Sequence, residues 1–121
     1  QGSGYMTRLE TAYAEYGMDY SETIERTAGD EELLRQLLDM FAADKNYSLL
    51  KYALDMGEAA AAFGAAHALK GSSGMLGMTR LHAVLSDMTE LLRAGDAAGA
   101  RAFCSAVERE YQAAVRMINS L

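Results

Sequence analysis

The sequence predicts an all-α protein: an antiparallel, up-down four-helix bundle with one or two short extra helices at its N-terminal end. Three observations predict it. Proline is absent, while Ala, Leu, Met and Glu abound and no β-branched run alternates at strand spacing. Half of the 121 residues are hydrophobic, enough for one domain to bury a core without disulfide or metal staples. Apolar residues recur at helical spacing in segments separated by short turn signals, the pattern of neighbouring antiparallel helices. Residues 5–121 read as a single domain, and Gln1 to Gly4 as a leftover of expression that takes no part in the fold.

The elements follow in order. After a weakly amphipathic segment from Met6 to Tyr16, Asp19 and Glu22 are spaced as a capping box ahead of Ile24, so two short N-terminal helices are expected. Gly29 closes the second, and Asp30 with Glu31 and Glu32 supplies an N-cap and an acidic first turn for a longer helix. Its apolar stripe runs Leu34, Leu37, Phe41, Ser48, Tyr52. The heptad step from Phe41 to Ser48 keeps register across the polar stretch Asp44 to Asn46, which predicts one long helix reaching Leu54. Asp55 and Gly57 mark a turn, and Glu58 to Leu76 reads as a helix despite glycines at 64, 71 and 74. Thr79 is placed to cap the next helix, whose Leu81, Val84, Leu85, Met88, Leu91 and Leu92 keep the period closely. Gly95 at a C′ position and Asp96 at an N-cap then lead to a last helix with Phe103, Val107, Tyr111, Ala114 and Ile118 inward.

A net charge of −6 and a pI near 4.8 exclude the positive field that nucleic-acid binders and polybasic membrane-surface proteins need, so the expected partners are proteins. No apolar run approaches the roughly 20 residues of a membrane span, and no secretion signal opens the chain. The single cysteine, Cys104, cannot form an intrachain disulfide and reads as a small, partly buried side chain. A cytoplasmic monomer is the expectation.

The segment around His67 carries the chemistry. At about 100° per residue, Ala62, Ala66, Leu69, Ser73 and Leu76 share one narrow face, the natural core stripe, and His67 lies about 140° away from it, toward solvent. Gly64, Gly71 and Gly74 lie on the side of the histidine, at i−3, i+4 and i+7. Each mid-helix glycine costs about 1 kcal/mol relative to alanine. Clearance would justify that cost, because an imidazole on a bare stretch of helix is open to another protein's backbone. Lys70, at i+3, is placed to balance negative charge on a group attached to His67. A neutral imidazole is a competent nucleophile near pH 7 and can be phosphorylated reversibly. Phosphoryl transfer needs mostly positioning and charge neutralisation, which a partner bringing its own metal ion and carboxylate can supply. The competing reading is that the glycines permit close helix packing and His67 is an ordinary surface histidine. Periodicity alone does not choose between them.

The run Ala66-His67-Ala68-Leu69-Lys70-Gly71-Ser72-Ser73, with Gly77 ten residues after the histidine, resembles the phosphorylation signature of histidine-containing phosphotransfer (HPt) domains. Flanking segments extend the likeness, from Gly29-Asp30 to Phe41 before it and from Leu85 through Glu90 to Arg93-Ala94-Gly95-Asp96 after it. The resemblance implies a bacterial-type, multistep two-component phosphorelay. In it His67 would accept a phosphoryl group from a receiver aspartate and pass it to another receiver, with a hybrid histidine kinase upstream. It further implies that Lys70 stabilises the phosphohistidine, Gly71 leaves room for the receiver, and Ser72 joins the hydrogen-bonding shell. Gly64, Gly74 and Gly77 are expected to serve partner docking. Ala68 departs from the threonine frequent at that position, which is not the nucleophile.

Such a domain is a phosphocarrier rather than an enzyme, with no cofactor or metal of its own and Mg²⁺ brought only by the receiver. Alternatives are the N-terminal phosphotransfer domain of a chemotaxis-type histidine kinase, and a helical bundle that binds partners without being phosphorylated. His67 and His82 show no metal-ligand spacing, and Ser72 and Ser73 share the histidine's helix and cannot face it as a hydrolase would require. His82 falls beside the Leu81/Leu85 stripe and reads as a boundary surface residue.

Overall fold

The computed structural model describes residues 5–121, in eight helices. The segment Gln1 to Gly4, expected to lie outside the fold, falls outside the described residues. Two short helices, α1 (Arg8–Glu15) and α2 (Tyr20–Arg26), precede the bundle. Its first arm is α3 (Glu31–Ala43) followed by α4 (Asn46–Asp55), its second α5 (Ala59–Met75) and its third α6 (Thr79–Arg93). A single turn of helix, α7 (Ala97–Arg101), leads into the fourth arm, α8 (Cys104–Asn119). α5 packs between α4 and α6, α6 packs on α7 and α8, and α3 meets α8, which closes the bundle. Among the described residues no strand occurs and no helix is long and apolar enough to cross a membrane.

Side-chain caps start four helices where the sequence places a polar residue. Thr7, Asp19, Asp30 and Asp96 accept from the amides of Glu10, Glu22, Leu33 and Gly99, at 2.8 to 3.1 Å. The capping box at Asp19 is only half formed. Glu22 pairs with Arg26 at 2.6 Å instead of reaching back, and the Asp19 amide donates to the Gly77 carbonyl at 2.9 Å.

Three expectations are corrected. The long helix from Asp30 to Leu54 is broken at Asp44, whose backbone turns extended (ψ 133°) and whose carboxylate accepts from both the amide and the side-chain nitrogen of Asn46 at 2.8 Å. That local bond outcompetes the helical one, as short polar side chains do. The register then changes, so Ser48 and Tyr52 are exposed while Leu50, Ala53 and Leu54 fill the core. Thr79 does not cap α6; Met78 stands at the N-cap without a side-chain bond, and Thr79 is the first helical residue. The last helix is likewise two, broken at Ala102–Phe103, with Val107, Ala114 and Ile118 buried and Phe103 and Tyr111 half-buried on the α8 side.

The N-terminal helices hold the far end of α5. The buried Tyr13 hydroxyl donates to the Leu76 carbonyl at 2.7 Å, and Arg26 reaches the Met75 carbonyl at 2.8 Å. These are carbonyls that the end of a helix leaves without internal partners. Glu31, at the start of α3, accepts from Thr7 and Tyr20 and joins the three N-terminal helices at one point.

Candidate functional site

The site is built on α5. Ala62, Ala66, Leu69 and Ser73, with Leu76 at its C-cap, are all buried, as the stripe requires. His67 is therefore turned outward and is exposed. Every other exposed position of α5 before Met75 is Ala or Gly: Ala60, Ala61, Gly64, Ala68 and Gly71. A methyl group built on Gly64 or Gly71 would meet nothing within 4 Å, so the backbone on either side of His67 is bare and open.

Lys70 lies one turn along, half-buried, the one charged side chain between Ala59 and Met75. Among the described residues it enters no salt bridge. The imidazole leans back toward the preceding turn, as helical side chains do, and stacks on Phe63 with centroids 5.6 Å apart and planes 15° from parallel. The guanidinium of Arg93, in the last turn of α6, sits 4.9 Å from the Phe63 centroid. Neither Phe63 nor Arg93 was expected at the site. Phe63 at i−4 was a signal available in the sequence, whereas Arg93 is brought in by the antiparallel pairing of α5 with α6.

The same pairing decides Gly74. A methyl group there would stand 2.7 Å from His82 Nδ1, because the His82 ring fills that space. His82 Nδ1 lies 2.9 Å from the Lys70 carbonyl, an acceptor, so this nitrogen carries the proton and donates. Gly74 thus serves packing between α5 and α6, and His82 is a half-buried seam residue. Gly77 has φ +76°, and a Cβ on it would fall 2.5 Å from the Asp19 carbonyl oxygen and closer still to the Thr23 hydroxyl. It is buried, and its role is the α5–α6 turn and its contact with α2. At Gly74 and Gly77, both expected to serve partner docking, the fold thus has a packing reason of its own for the missing side chain.

Ser72 is corrected too. It lies about 140° around the helix from His67, and its hydroxyl bonds back to the Ala68 and Leu69 carbonyls at 3.1 and 3.3 Å. Cys104 is partly buried near Asp55 and Val107, and burial pushes its thiol pKa up. Among the described residues no three His, Cys, Asp or Glu side chains converge to hold a metal ion.

This geometry, an exposed histidine on a bare helix face in a four-armed bundle, meets a family match. The family model for the Hpt domain matches residues 8–116, nearly the whole chain. The chain belongs to the Hpt domain family. Comparison with curated proteins and with solved structures gave no match. Hpt domains are phosphocarrier modules, generally not enzymes, that act in histidine phosphotransfer within two-component phosphorelays, and they work with receiver domains and kinases. The helical bundle is the fold expected of an Hpt domain.

Proposed function

We propose that this Hpt domain accepts a phosphoryl group on His67 from a receiver-domain aspartate and passes it to the aspartate of another receiver. The observation that supports this reading best is the pairing of an exposed His67 with open backbone at Gly64 and Gly71 and an ammonium at Lys70. In the step, the lone pair of a ring nitrogen attacks phosphorus, the N–P bond forms, and the O–P bond of the aspartyl phosphate breaks. The carboxylate leaves and the ring releases its remaining proton to solvent. The return reaction reverses these bonds on the next receiver. Lys70 neutralises charge on the phosphoryl, Gly71 and Gly64 let the partner's backbone approach, and Mg²⁺ belongs to the receiver.

The neighbouring surface suits a protein partner. Tyr47, stacked on Tyr111 of α8, and Lys51 beside it mark one edge of α4. Leu49 and Met56 are on the opposite edge, which borders α5. Together with Met75 on α5 they expose apolar side chains next to the bare helix. We infer a cytoplasmic, monomeric carrier of a bacterial-type relay, without kinase activity of its own. The test is incubation with phosphorylated receiver domains: acid-labile, base-stable label should appear on the wild-type chain and be absent from His67→Gln. Label that persists in that variant would remove His67 from the role.

A further inference from the structure

We propose that Phe63 is a positioning residue for the transfer. By stacking on His67 it holds the imidazole in one rotamer, with the bare backbone of Gly64 and Gly71 left free for the partner. The inference rests on the proposed role of His67 and deepens it.

The first observation is the stack itself, one helical turn ahead of the histidine and nearly parallel. An exposed side chain on a helix ordinarily exchanges between staggered rotamers, and a reacting ring that does so spends part of its time out of line with the donor. Covering one face of the ring against a fixed neighbour removes that freedom. The second observation is composition. Before Met75 the exposed positions of α5 other than His67 carry only Ala or Gly, and the one aromatic side chain retained on the helix is the one that touches the histidine. The third is that Phe63 is itself held: it packs partly against the core, and the Arg93 guanidinium lies on its ring. The direction of the lean also matters. The volume where a Gly64 side chain would be is empty to 4 Å, so the ring does not occupy the surface the receiver must use.

A packing role alone predicts that any apolar side chain of similar bulk will serve. Phe63→Leu keeps apolar bulk and removes the stacking ring, and Phe63→Tyr keeps the ring. The experiment records the His67 ring-proton shifts and χ1 couplings by NMR. It also measures rates of phosphoryl acceptance from a phosphorylated receiver and from phosphoramidate, a donor small enough to meet the ring in any rotamer. In Phe63→Leu the ring-current shift should vanish, χ1 should average, and the receiver-dependent rate should fall on the order of tenfold, with a smaller loss for phosphoramidate. Phe63→Tyr should restore all three. Unchanged shifts and receiver rate in Phe63→Leu, or equal slowing with both donors, would overturn the positioning role. A wild-type chain that takes no phosphoryl group at His67 from either donor would instead overturn the function on which it rests.

Discussion

Gly71 and Gly74 are three residues apart on one helix, and the structure assigns them opposite consequences on substitution. A side chain at Gly71 enters open space, so Gly71→Ala gains only helix propensity, about 1 kcal/mol. For a domain of this size that raises Tm by about 4 °C. At Gly74 the same gain is opposed by the His82 ring, 2.7 Å from the new methyl group. Moving that ring breaks its bond to the Lys70 carbonyl, worth about 1 kcal/mol, and disturbs α5–α6 packing at a cost of roughly 1–3 kcal/mol. Gly74→Ala should therefore come out net destabilised by about 1 kcal/mol or more. Thermal and urea unfolding followed by circular dichroism measures both. The functional arm uses Gly71→Gln, which should keep or raise Tm while slowing phosphoryl acceptance from a receiver at least about tenfold, since the side chain stands where the partner's backbone must approach. If Gly74→Ala is as stabilising as Gly71→Ala, the His82 seam does not constrain the position. If Gly71→Gln transfers at the wild-type rate, clearance is not why that glycine is there.

His67→Gln should lose all label while its unfolding free energy stays within about 0.5 kcal/mol of wild type, and Lys70→Ala should slow transfer without lowering Tm; an unfolded His67→Gln would mean the histidine is structural. ATP with Mg²⁺ should neither bind to the isolated chain nor label it, checked by calorimetry and autoradiography, because its sequence contains no P-loop or other glycine-rich nucleotide loop. Alkaline titration should reveal the phenols. Burial pushes Tyr20 and Tyr47 up to about 12, with the Glu31 carboxylate adding to the effect at Tyr20, and burial raises Tyr13 and Tyr111 as well. Their folded pKa values exceed the unfolded value near 10, so the associated stability is complete below pH 10 and is lost as pH rises toward 12. Tm that stays flat from pH 9 to 12 would contradict this.

Elements whose causes are local are legible along the chain. The α5 stripe of Ala62, Ala66, Leu69, Ser73 and Leu76 follows from helical period, and it turns His67 outward without reference to any other segment. The caps at Asp19, Asp30 and Asp96 are likewise readable because a cap and its amide lie three residues apart. Features that depend on residues distant in the chain are set by how the helices pack. Gly64, Gly71, Gly74 and Gly77 look alike in sequence, since a missing side chain does not say whether a partner or the chain itself fills the space. The fold leaves the first two bare, gives Gly74 to His82, and presses Gly77 against Asp19 and Thr23. The break at Asp44 was hidden because the heptad continued across it, and a side-chain bond to Asn46 overrode the period. Arg93 reaches Phe63, 30 positions away in the chain, only because α5 and α6 run antiparallel, so a contact that supports the histidine came from helix pairing and not from local spacing.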